Sequence, residues 1–172
     1  VSDPGMLYIC DHDGNLLRQW DSGDHKLGNS PVVLDADGDG ILDGFLGTRS
    51  RELVRLRMPE LSVFRRRPDW VQCGCYTTAM DVDHDGHADA LSGNGDGNVY
   101  LYSGDGTGAL GAAVTVPVGG NPIAIATADV NGDGGVDLVA ADPFGARVRV
   151  LLRNGANTSW TADDMVATGA FT

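Results

Sequence analysis

DADGDGILD at Asp35–Asp43, DVDHDGHAD at Asp81–Asp89 and DVNGDGGVD at Asp129–Asp137 are one nine-residue pattern written three times. From Asp35 to Asp81 is 46 residues, and from Asp81 to Asp129 is 48. A fixed period in this range belongs to propellers and solenoids, whose units cannot bury their apolar faces alone. Around each copy the same elements recur. An apolar stretch enters, at Pro31–Leu34, Thr77–Met80 and Ile123–Ala126, and a second leaves, at Phe45–Leu46, Ala90–Leu91 and Leu138–Ala140. A third alternates with period two through Val54, Leu56 and Met58, through Val99 and Leu101, and through Val148 and Val150. A Gly-rich turn then leads to Val114–Val116 in the second unit and to Met165–Ala167 in the third. Four antiparallel strands in a meander make a propeller blade, and no helix is convincing, so the expected fold is all-β.

The blades are expected at residues 30–75, 76–121 and 122–172. Residues 1–29 would form the outer half of another blade, Leu7 and Ile9 leading through the turn DHDGN to Leu16–Leu17. Three blades and a half do not close a ring, since propellers close with about four to eight. The chain is therefore expected first to be part of a larger, seven-bladed ring, and otherwise to be completed by copies of itself or a partner chain or to stack into a fibre. A start at Val1 without a leader suits a mature form or a segment of something longer.

Each loop has the chemistry of a calcium site. Alternate side chains Asp35, Asp37 and Asp39 turn toward one centre as the chain curls, and Asp81, Asp83 and Asp85 repeat the arrangement. Asp129, Asn131 and Asp133 follow in the third loop. Gly40, Gly86 and Gly134 allow the sharp turn, the carbonyls of Ile41, His87 and Gly135 can face the ion, and Asp43, Asp89 and Asp137 close the shell. Oxygen donors in this number suit calcium better than magnesium, which holds a stricter octahedron. The EF-hand is excluded, because its closing Glu would fall at Leu46, Ser92 and Ala140. Asp and Gly also build ion-free hairpin turns, but three filled copies argue against that alternative. About three structural ions are expected, the third loop binding most weakly because Asn131 replaces a carboxylate.

These loops resemble the FG-GAP/VCBS repeats of integrin α subunits, some fungal lectins and many bacterial surface proteins. The resemblance runs from Ser30 to about Gly169, and its Phe-Gly signatures survive only as Gly44-Phe45 and Phe144-Gly145-Ala146. It implies metal ligands at the same twelve Asp and Asn side chains. It further implies a structural ion at the hairpin joining the first two strands of a blade, with ligands bound elsewhere.

Charge and composition narrow the function. The formal net charge of −12 argues against nucleic acid, and eleven of the 24 acids sit in the three loops. No apolar run approaches the roughly 20 residues of a membrane span. No nucleophile elbow, phosphate loop or zinc-protease helix is present, so the chain is not expected to be an enzyme. The leading expectation is an extracellular or cell-surface calcium-stabilised module that binds a glycan or protein ligand in adhesion or surface assembly. The alternatives are an accessory propeller of a polysaccharide-degrading enzyme and a subunit of an extracellular filament.

Other features admit a binding role or a purely structural one. Seven of the twelve Lys and Arg lie between Arg49 and Arg67, a candidate patch for an anionic polysaccharide or an acidic partner, although Arg55 and Arg57 better suit packing against a neighbouring blade or its acids. The irregular segment Pro59–Gln72, with Trp70, is a candidate inserted loop. Trp20, Trp70 and Trp160 could stack on sugars or fill space between blades. Cys10, Cys73 and Cys75 allow one disulfide in an oxidising compartment, or serve as small buried apolar groups. Asn157-Thr158-Ser159 is a glycosylation sequon.

Overall fold

The computed structural model describes residues 5–23, 27, 31–48, 53–67, 76–107, 109–153 and 160–167. These residues are all-β: fourteen strands fall into four antiparallel sheets with no helix. A two-stranded hairpin comes first, β1 (Met6–Cys10) with β2 (Leu16–Asp21). The next sheet holds β3 (Val32–Leu34), β4 (Asp43–Gly47), β5 (Leu53–Arg57) and β6 (Ser62–Arg67) in chain order. The third holds β7 (Tyr76–Met80), β8 (Asp89–Asn94), β9 (Asn98–Gly104) and β10 (Leu110–Pro117), again as a meander. The fourth holds β11 (Ala124–Ala128), β12 (Asp137–Asp142), β13 (Arg147–Arg153) and β14 (Trp160–Ala167). These are propeller-like blades, and the described residues do not close into a ring. No described helix is long and apolar enough to cross a membrane.

The acidic loops are the connections β3–β4, β7–β8 and β11–β12, so every loop joins the first two strands of its sheet. The segment expected to hold an inserted loop is different in part. Ser62–Arg67 is β6, in register with β5 through Leu53↔Arg67 and Arg57↔Ser62, and it completes the first four-stranded sheet. Its three arginines mask a strand that the apolar pattern alone does not announce. Residues 68–72 of that segment, with Trp70, lie outside the described residues, as do Arg49, Arg51, Cys73, Cys75 and Asn157. Cys10 is exposed with a free thiol.

The cores lie between sheets, as a repeat whose units cannot bury themselves requires. Leu46, Val54, Leu56 and Leu61 pack against Leu7, Ile9 and Trp20 of the hairpin. Ala36, Phe45 and Leu53 of the first blade meet Ala88, Ala90, Tyr100 and Tyr102 of the second. Val82, Leu91, Val99, Leu101, Val116 and Val118 meet Val136, Leu138, Ala140 and Leu151 of the third, with Trp160 packed alongside. Trp20 and Trp160 therefore take the space-filling role at sheet interfaces.

The second and third blades also approach backbone to backbone. A β-carbon on Gly93 would lie 2.8 Å from the Pro122 carbonyl oxygen, a distance real side chains do not tolerate. Gly93→Ala should force the two sheets apart and destabilise by about 1–3 kcal/mol. Urea unfolding reads this as a lower midpoint at unchanged slope. An unshifted midpoint would show that the interface gives way freely.

Candidate metal centre

The three loops are built by the same hydrogen bonds. The carboxylate at the first position caps the turn: its Oδ2 accepts from the sixth-position glycine, Gly40 to Asp35 at 2.8 Å, Gly86 to Asp81 at 3.0 Å and Gly134 to Asp129 at 2.9 Å. The fifth-position Oδ1 accepts from the seventh-position amide, Ile41 to Asp39 at 2.8 Å, His87 to Asp85 at 2.8 Å and Gly135 to Asp133 at 2.7 Å. The closing Asp, buried at the start of the second strand, accepts from the second-position amide: Ala36 to Asp43 at 3.3 Å, Val82 to Asp89 at 2.8 Å and Val130 to Asp137 at 2.9 Å.

The sixth-position glycines have φ between 83° and 90° and open space where a β-carbon would stand, so backbone conformation alone demands Gly there. The fourth position is left-handed as well, in Gly38, His84 and Gly132. That requirement was missed in the sequence, although glycine at two of the three copies signals it. His84 carries it as a non-glycine residue, and its Nε2 lies 3.1 Å from the Gly134 carbonyl, tying the second loop to the third.

Two loops gather three carboxylates to within 4.8 Å of one another: Asp35, Asp37 and Asp39 in the first, Asp81, Asp83 and Asp89 in the second. The third brings no such trio together, and Asn131 there donates from Nδ2 to Asp133 Oδ2 at 3.0 Å. The donor set fits a hard cation. Asp37 Oδ1 and Asp43 Oδ1 are buried with no hydrogen-bond partner among the described residues, while the Oδ2 of each carboxylate meets a positive charge, that of Arg55. Burial pushes the Asp89 carboxyl above the usual range; the Gly104 and Val82 amides oppose this, and Asp83 and Asp85 add to it. The Gly134 amide, most of all, holds the exposed Asp129 carboxyl low, so this capping group keeps its charge.

Arg55 and Arg57 face the acids of their own blade, where the sequence had suggested a neighbouring blade. The Arg55 guanidinium, 2 % exposed, bridges Asp37 at 2.7 Å and Asp43 at 2.6 Å, while Arg57 pairs with Asp39. Burial works against the charge of Arg55, but its bonds to Asp43 and Asp37 outweigh this and raise its pKa. In the third blade Arg153 reaches across to donate to the Val82 carbonyl of the second loop at 2.7 Å, its guanidinium over Trp160 at 5.4 Å. His12 is exposed beside Asp13.

Comparison with known proteins places the repeat. Residues 81–140, from the second loop into β12, match the FG-GAP-like repeat family. No curated protein sequence matches the chain. Among solved structures, a humanized mutant of the Chaetomium thermophilum Polycomb Repressive Complex 2 bound to an inhibitor is similar, with TM-score 0.55 and 14% identity over 86% of this chain. Apo ctPRC2 in an autoinhibited state is similar to the same degree. This chain covers 31% of the matched chain in each. At that identity the likeness is one of fold alone.

Proposed function

For a chain that carries an FG-GAP-like repeat in a propeller-like array of sheets, we propose a calcium-stabilised, non-enzymatic binding module that works outside the cell or at its surface. The observation that carries the calcium reading is the convergence of Asp81, Asp83 and the buried Asp89 within 4.8 Å, with like charges crowding Asp89. FG-GAP repeats are often calcium-binding, and the match spans this loop. The residues that would hold the ion are Asp81, Asp83, Asp85 and Asp89 in the second loop, and Asp129, Asn131, Asp133 and Asp137 in the third. Bound calcium neutralises the crowded carboxylates and pins the hairpin. The protein's own part is to hold Asp81 and Asp89 in place through the Gly86, Val82 and Gly104 amides.

The module's ligand is a glycan or protein, met on surfaces away from the loops. Among the described residues the hairpin β1–β2 has no third strand, which supports completion of the ring by further chain or by a partner. Calorimetric titration tests the metal: Asp81→Asn should remove one equivalent of calcium from the wild-type stoichiometry while the protein stays folded. Wild-type protein that takes up no calcium would overturn the reading. Binding to a glycan array that vanishes in EDTA would support the recognition role, and turnover of a bound polysaccharide would replace it with an enzymatic one.

A further inference from the structure

The three loops differ in what closes them, and one of them already contains a cation. We infer that the first loop is closed by Arg55 in place of a metal ion, so that calcium enters the second and third loops first and binds the first comparably only when Arg55 is removed. The inference rests on the calcium reading above.

In the second loop the closing carboxylate is held by two backbone amides, Val82 on Asp89 Oδ2 and Gly104 on Oδ1, both at 2.8 Å. In the third, Val130 and Arg153 do the same for Asp137, at 2.9 and 2.8 Å. The first loop breaks this scheme. The amide in the corresponding place, Met58, donates to the Leu42 carbonyl at 2.9 Å, and the Ala36 amide stands off at 3.3 Å. Arg55 Nη2 supplies the contact at 2.6 Å, and the same nitrogen holds Asp37 at 2.7 Å. One guanidinium nitrogen thus joins the third and ninth positions, the pair a bound ion would bridge. Asp43 accordingly stays out of the Asp35, Asp37 and Asp39 trio, whereas Asp89 joins Asp81 and Asp83.

The register makes this device particular to the first blade. Arg55 stands opposite Phe45, and the equivalent pairs are Leu91↔Leu101 and Val139↔Val150. Leu101 and Val150 occupy the place of Arg55 in the other blades, so a guanidinium from the third strand of the same blade is not repeated at that position. With Arg57 on Asp39 as well, two guanidiniums offset the four carboxylates of the first loop. The first loop thus carries its own counter-charge, whereas Asn131 alone points to the third as the weakest site. Entry of calcium would also leave Arg55 sharing its counter-charges in a site where it is 2 % exposed, which is unfavourable for a buried guanidinium.

Amide NMR during calcium titration of the wild-type chain separates the loops through their sixth-position glycines. Gly86 and Gly134 should shift with added calcium, while Gly40 moves only at concentrations at least about tenfold higher than the Gly86 midpoint. In Arg55→Met, Gly40 should respond in the range of the other two. A wild-type Gly40 that titrates together with Gly86, or a Gly40 that stays silent in folded Arg55→Met, overturns the inference while leaving calcium binding in place. Silence at all three glycines overturns the calcium reading and this inference with it. Should Arg55→Met fail to fold, the wild-type titration decides alone.

Discussion

EDTA should lower the melting temperature of the calcium-loaded protein by roughly 15–30 °C, taking two loops at about 4 kcal/mol each when calcium stands near 1,000-fold above Kd. The size of the effect follows from what the loops contain. Asp81, Asp83, Asp85 and Asp89 lie within nine residues, and Asp89 is buried with a carboxyl that burial and its neighbours push toward the neutral form. Removing a divalent cation returns this repulsion to the folded state alone, because the unfolded chain lets the carboxylates separate. Differential scanning calorimetry with and without chelator measures it. Magnesium should restore only part of the loss, since the loops offer more oxygens than its octahedron takes. Equal melting temperatures in calcium and EDTA would mean that the loops are simple Asp-Gly turns.

Leu138→Ala should cost about 2–5 kcal/mol, the range for emptying a well-packed leucine site. Leu138 is fully buried and belongs to a cluster drawing Val82, Leu91, Leu101 and Val116 from one blade and Val136 and Leu151 from the next. The cavity would open at the seam that also carries the Arg153–Val82 and His84–Gly134 contacts. Val82 donates its amide to Asp89, so loosening that seam should weaken calcium binding at the second loop along with stability. Chemical unfolding of Leu138→Ala beside Val114→Ala is the measurement. Val114 is 53 % exposed and its truncation should stay within about 0.5 kcal/mol. Comparable losses for the two variants would contradict the view that stability resides between blades.

Much of this architecture is legible in the amino-acid sequence. The loops announce themselves because turn geometry and ligand chemistry are local: Asp, Gly and their spacing act within nine residues. Strands β4, β8 and β12 follow from short apolar runs placed right after each loop. β6 escaped because Ser62–Arg67 ends in three arginines, and outer strands tolerate polar residues that blur the alternation. The left-handed fourth position was equally hard to read, since His84 stands where the other copies have glycine.

By itself the sequence determined the repeat, the all-β class, the meander and the twelve oxygen-bearing side chains of the loops, because each depends on neighbours a few residues away. The tertiary structure decided which loops are alike. Asp37 and Asp43 lie 18 and 12 residues from Arg55, and only the register of β4 on β5 brings that guanidinium into the first loop while Leu101 and Val150 take its place in the others. It also decided that the cores lie between sheets, where side chains from successive blades meet. Both are matters of packing across long sequence separations, which the spacing of residues along a chain does not encode.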